Sequence, residues 1–179
     1  MDIDDKILID EFISGNNAAF NKLAAKYQNR IYWHARKMVG NHEDADEIMQ
    51  EVLIVMYKKL PSFNFNSSLF TWIYTIVSRR SINLINRRRI KNFFSLSGDN
   101  IEIKQNYDLL KNYEDKEKLE KLDKVLQSLP VKQREVFILR NFDKLSYDEI
   151  SKITGKSVGG LKANYFHALK KILEKFENE

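Results

Sequence analysis

The chain has 179 residues, 43% of them hydrophobic and 31% charged, with a formal net charge of +5 and a pI near 9.2. That is enough apolar material for one large or two small cores in a water-soluble chain. Cysteine is absent, which excludes disulfides, thiolate metal sites and cysteine nucleophiles together.

The amino terminus, MDIDDKILIDEF, is acidic and lacks a signal-peptide core. The longest apolar run, residues 52–57, is far too short to cross a bilayer. A cytoplasmic protein without membrane insertion is therefore expected. Two prolines and six glycines leave long uninterrupted segments, which favours helix throughout.

Ile3, Ile7, Leu8 and Phe12 suggest a short amphipathic first helix that ends near Gly15-Asn16, with Asn17 as N-cap of the next. In that second helix Phe20, Leu23, Ala24, Tyr27, Ile31, Ala35 and Met38 recur at spacings of three and four. Gly40-Asn41 ends it. A third helix opens on Glu43, Asp44, Asp46 and Glu47, acids that suit the positive end of a helix dipole. It continues through Ile48, Val52, Val55, Met56 and Leu60 and stops at Pro61.

Residues 52–91 then hold eight basic side chains (Lys58, Lys59, Arg79, Arg80, Arg87, Arg88, Arg89, Lys91), six aromatics (Tyr57, Phe63, Phe65, Phe70, Trp72, Tyr74) and no carboxylate, in a chain with twenty-five. A basic surface follows phosphates, and exposed rings offer stacking faces to unpaired bases. If residues 69–89 are helical, each step turns about 100°. Phe70, Ile73, Tyr74, Val77, Leu84 and Ile85 then form a core stripe, while Trp72, Ile76, Arg79, Arg80, Asn83 and Arg87 share another side. With no acid in the segment to neutralise it, that side is expected to bind single-stranded nucleic acid. For each residue taken alone, a solvated basic face is the simpler account.

Residues 92–112 show no sustained period and are expected to be a flexible linker. Leu119, Leu122, Val125, Leu126 and Leu129 make a stripe closed by Pro130, and a helix over residues 131–141 uses Val136, Phe137 and Leu139. In LSYDEISKITGKSVGGLKANYFHALKKI, Ser146 and Glu149 have capping-box spacing, Gly155 is a turn residue and Ser157 a second N-cap. Leu161, Tyr165, Ala168, Leu169 and Ile172 give the last helix its stripe. Short helix, glycine turn and capped longer helix make a helix-turn-helix. An ordinary helical hairpin is the alternative. Gly159-Gly160 favours DNA, since bare backbone lets a phosphate approach the free amides of the helix start. Lys156, Lys162, Asn164 and His167 lie around that spot.

His34, His42 and His167 have no ligand spacing and are expected as surface or partly buried imidazoles, so no metal or other cofactor is expected. The acids at Glu43, Asp44, Asp46, Glu47 and Glu51 are expected to be a solvated face or a protein-docking edge. No phosphate loop or nucleophile motif is present, and no enzyme is expected.

These residues also carry a family resemblance. DADEIMQEVLIVMYKKLPSF followed by LFTWIYTIVSRRSINLINRRR resembles region 2 of bacterial sigma factors, and LPVKQREVFILRNFDKLSYDEISKITGKSVGGLKANYFHALKKI resembles their region 4. Order and short length are similar to the extracytoplasmic-function group of the sigma-70 family.

The resemblance implies an all-α chain of two small helical domains, with a region 2-like part over residues 1–91, a linker over 92–112 and a region 4-like part over 113–179. It implies a non-catalytic subunit that recruits core RNA polymerase to promoters. The expected partners are the clamp of the largest polymerase subunit, the flap of the second largest, promoter DNA both single-stranded and duplex, and an anti-sigma factor.

By position, Asp46, Glu47, Gln50 and Glu51 fall where the family docks on the clamp. Asn64, Asn66 and Ser67 fall in the loop that holds a flipped-out minus-ten base. Trp72, Arg79, Arg80 and Asn83 fall on the melting helix, with Arg87 and Arg88 beyond them. Lys156, Ser157, Gly160, Lys162, Asn164 and His167 lie at the end that reads the minus-thirty-five duplex. Gly160, Ala163 and Asn164 depart from the family's frequent threonine, serine and arginine. The other readings are a stand-alone helix-turn-helix regulator and a helical interaction protein that binds no DNA.

Overall fold

The computed structural model describes residues 3–94 and 113–177. Its elements are α1 (Ile3–Ile13), α2 (Asn17–Val39), α3 (His42–Lys59), a 3-10 turn (Leu60–Ser62), α4 (Leu69–Phe94), α5 (Tyr113–Ser128), α6 (Val131–Asn141), α7 (Tyr147–Thr154) and α8 (Val158–Glu177). No strand occurs among the described residues. The greater part of the expected linker lies outside them, and α4 continues beyond the expected end at Arg89.

Local chemistry sets most boundaries. The amide of Ala18 donates to Asn16 Oδ1 at 3.1 Å, so Asn16, not Asn17, caps α2. Gly15 before it has φ 100°, a conformation that turns the chain out of α1. Gly40 closes α2 in the left-handed region, and Asn41 Oδ1 accepts from the Asp44 amide at 2.9 Å to start α3. Ser146 and Glu149 form the expected capping box.

The first helix sits differently from its expected stripe. Ile9 and Phe12 are buried while Ile7 is 51% exposed. Asp5 explains the rotation. It is drawn inward by Lys26 Nζ at 2.7 Å and by the Tyr27 hydroxyl at 2.6 Å, which satisfy a carboxylate that could not be buried unpaired.

Helices α1–α4 pack as one group, and α5–α8 form the second. The groups are not held apart. Val131, Val136, Ile138, Leu139, Leu145, Ile150, Ile153 and Leu161 of the second half join the same apolar cluster as Leu23, Ile31, Met38, Ile73 and Val77 of the first. A smaller cluster of Val125, Leu126, Leu129, Phe137, Ala168 and Ile172 ties α5 to α6 and α8.

Candidate nucleic-acid and polymerase interfaces

The loop before α4 presents the first group of expected site residues. Asn64 and Asn66 are exposed, and the Asn66 amide donates to Asn64 Oδ1 at 3.3 Å. Ser67 is half-buried and its hydroxyl turns onto the Ser68 carbonyl at 3.3 Å. Ser68 itself starts α4 by accepting from the Thr71 amide at 3.1 Å.

Phe65, between the two asparagines, has φ 57°, which costs a bulky residue strain and points to a constrained loop. Its ring lies 5.0 Å from Phe63, and Phe63 lies 5.3 Å from Trp72. The three rings form a continuous path from loop tip to helix. Phe65 was not among the expected site residues; a backbone strain of this kind leaves no trace in hydropathy.

On α4, Ile73, Tyr74 and Val77 are buried as expected, while Arg79, Asn83 and Arg87 are exposed and Trp72 and Arg80 are half-buried. The basic face is not free of acid in three dimensions. Arg80 is ion-paired with Glu51, and Arg88 with the buried Asp44. Both acids come from α3, so the expectation of an unneutralised surface is corrected. Asp44 leaves the docking edge too, because Asn41 Nδ2 holds its second oxygen at 2.7 Å.

The rest of that edge is only partly open, because Glu51 is paired with Arg80 and Asp46 is half-buried. Glu47 and Gln50 are exposed, and Gln50 Nε2 donates to Asp46 Oδ2 at 2.7 Å. A shallow cleft between α3 and α4 brings Glu47 and Glu51 beside Arg80, Asn83 and Arg87. Residues assigned to polymerase and residues assigned to DNA therefore share one groove.

In the helix-turn-helix, Gly155 makes the turn with φ 70°, and the Gly160 amide donates to Ser157 Oγ at 3.3 Å. Nothing lies within 4 Å of where a Gly159 side chain would start. Gly160, Asn164 and His167 share a face by helical spacing, with Asn164 Nδ2 donating to the Gly160 carbonyl at 2.9 Å. Lys162 sits about 200° round from Gly160 and lies over the Tyr147 ring at 5.8 Å. Lys156 is engaged elsewhere, with its Nζ 2.7 Å from the buried Glu135.

Among the described residues no cluster of three or more His, Asp or Glu side chains could hold a metal. His42 Nδ1 lies 2.9 Å from the Tyr32 hydroxyl. His34, expected at or near the surface, is instead fully buried against Asp143 at 2.9 Å, because the second half covers it.

Two family models match the chain, Sigma-70 region 2 over residues 23–90 and Sigma-70 region 4 over residues 119–172. The RNA polymerase sigma-H factor of Pseudomonas aeruginosa is 28% identical over 176 residues, covering 94% of this chain and 91% of that protein. The ECF RNA polymerase sigma-E factor of Escherichia coli K12 is 28% identical over 181 residues, covering 97% and 94%. Two solved structures share the fold. One is CnrH in complex with the cytosolic domain of CnrY, with TM-score 0.73, 20% identity and coverage of 98% and 99%. The other is the sigma factor RpoE bound to the anti-sigma factor NepR from Bartonella quintana, with TM-score 0.69, 22% identity and coverage of 88% and 96%. The chain belongs to the sigma-70 family of RNA polymerase sigma factors, in the extracytoplasmic-function group.

Proposed function

We propose that this sigma factor works without catalysis, in the cytoplasm, by holding core polymerase at α3 and promoter DNA at two separate places. Asp46, Glu47, Gln50 and Glu51 dock on the polymerase clamp. Asn64, Asn66 and Ser67 with Phe65 grip one unpaired minus-ten base. Trp72, Arg79, Arg80, Asn83 and Arg87 guide the separated strand, and Arg88 supports that surface through Asp44. At the start of α8, Ser157, Gly160, Asn164 and His167 meet the minus-thirty-five duplex and Lys162 flanks them, while Lys156, paired with Glu135, fixes the turn before that helix.

The observation that carries this reading is the exposed Phe65 ring and the half-buried Trp72 ring, both packed on the buried Phe63, beside exposed Arg79 and Arg87. Rings bind bases only after these leave the duplex stack, and a simple helix-turn-helix regulator has no use for such a surface. The RpoE structure with a bound anti-sigma factor supports an inhibitory partner of that class here too.

Reversing charge at Asp46 and Glu47 tests the docking edge. The doubly reversed chain should keep its helical circular dichroism and lose co-purification with core polymerase. Retained co-purification would remove this edge from the docking surface.

A further inference from the structure

The recognition helix α8 is tied to α6 at two places. Just before its start, Lys156 Nζ lies 2.7 Å from Glu135 Oε2 of α6. Further along, the Tyr165 hydroxyl donates to Asn141 Oδ1 at 3.2 Å, and the Tyr165 ring stacks on Phe137 at 6.0 Å. Glu135 and Asn141 stand about 9 Å apart along α6, at about 1.5 Å per residue. A rod held at one point pivots, whereas two separated ties fix its direction.

The tie at Glu135 is the one nearer the proposed duplex contacts. The Glu135 side chain is 3% exposed and that of Lys156 30% exposed. A carboxylate so deep is costly unless paired, so it holds the ammonium inward. The backbone of Lys156 is fixed as well. Its carbonyl accepts from the Ser151 hydroxyl at 2.7 Å, and its amide donates to Thr154 Oγ1 at 3.3 Å. Lys156 is therefore held by α6 through its side chain and by α7 through its backbone. The next residue is Ser157, whose Oγ accepts from the Gly160 amide at 3.3 Å.

We infer that Glu135, buried in α6, is a specificity-determining positioning residue that aims the start of α8 by holding Lys156. The inference rests on the minus-thirty-five reading proposed above. Base edges are read through exact placement, whereas phosphate contacts carry no sequence information. A loosened α8 start therefore loses selectivity before it loses general affinity for DNA. A Lys156 released from Glu135 also gains reach toward a phosphate, which raises general affinity and steepens its salt dependence.

The test uses the full chain in fluorescence anisotropy titrations with two duplexes. One carries the minus-thirty-five sequence that the unaltered holoenzyme enriches from a random pool, and the other a scrambled version of it. Glu135→Leu keeps the buried volume and a strong helix former, and Lys156 can turn to water. This variant should retain its helical circular dichroism and lower the affinity ratio between the duplexes by about fivefold or more, the discrimination of one base contact. Binding to the scrambled duplex should hold or strengthen, with a log–log salt slope steeper by up to about 0.9. Lys156→Arg, which preserves charge and reach, should preserve the ratio. A merely structural role for Glu135 would weaken binding to both duplexes alike and leave the ratio unmoved. The inference is overturned if folded Glu135→Leu keeps the ratio. It is also overturned if Lys156→Gln flattens the slope by about 0.9, since Lys156 would then be a phosphate contact. Should Glu135→Leu not fold, Glu135→Gln decides by the same ratio. An unaltered chain with no preference between the duplexes would overturn the minus-thirty-five reading itself, and the role of Glu135 with it.

Discussion

At the scale of single residues, Trp72 and Gly159 separate structure from recognition. Trp72 is half-buried against Phe63, so its removal costs some packing as well as a stacking face. Stacking on a ring is worth about 1–3 kcal/mol per base. Trp72→Ala should therefore reduce open-complex formation on duplex promoters much more than on a template already mismatched at minus-ten. Permanganate footprinting of both templates reads this, and equal losses would make Trp72 a packing residue only.

Gly159 predicts opposite signs for stability and binding. Since its surroundings are open, Gly159→Ala should raise thermal stability by up to about 1 kcal/mol through better helix propensity. The added methyl should weaken binding to a minus-thirty-five duplex in a fluorescence anisotropy titration. A variant that gains stability and keeps its affinity would show that no phosphate approaches this backbone.

At the scale of elements, α7 depends on its cap. Glu149 accepts from the Ser146 amide and hydroxyl, each at 2.7 Å, and these bonds, chiefly the hydroxyl's, hold its carboxyl below the usual range. A depressed carboxyl contributes stability above its unfolded value, and that contribution is lost as pH falls through the folded value. Ser146→Ala should lower stability by about 1 kcal/mol at neutral pH, a fall of about 2–4 °C in midpoint. The gap between variant and parent should narrow below about pH 4.3. Thermal melts across pH 3–7 check both parts.

Helix α4 pairs two kinds of arginine that look alike in the sequence. Arg87 is exposed in the cleft, while Arg88 neutralises buried Asp44. Arg87→Ala should flatten the salt dependence of holoenzyme–DNA binding by about 0.7–0.9 in log–log slope, the amount expected for one lost phosphate contact. Arg88→Ala should leave that slope unchanged and lower the melting temperature, because it strands a buried carboxylate. A filter-binding series over potassium concentration distinguishes the two.

At the scale of the whole molecule, the halves share a core whose boundary is unusually polar. Burial pushes the Arg134 guanidinium down to about 10, helped by the nearby charge of Arg89, yet it stays charged at neutral pH while holding carbonyls of Gln127, Leu129 and Met38. Lys37 is likewise held below its usual range by burial, although Asp143 opposes this. Burial pushes the Tyr74 phenol up, with the Asp143 charge adding to it, so Tyr74 remains a hydrogen-bond donor at all ordinary pH. The Arg134–Met38 and Tyr74–Asp143 bonds cross between the halves, which couples the folding of the second half to α4 and the end of α2.

By itself the sequence determined which segments are helical and where the helix-turn-helix lies. Asn41, Ser146, Glu149 and Gly155 act within three or four residues of themselves, so their chemistry is written locally. The two sigma regions were recognisable for the same reason, as contiguous runs. Which side chains remain available was decided only by tertiary structure. Arg80 meets Glu51 across 29 residues, Arg88 meets Asp44 across 44, and His34 meets Asp143 across 109. A periodic pattern distinguishes buried from exposed faces of one helix, but charge neutralisation depends on which helix is laid beside it. That placement comes from packing two apolar surfaces together, and it is why an acid-free segment acquired acids and an apparent surface histidine became the centre of a buried contact.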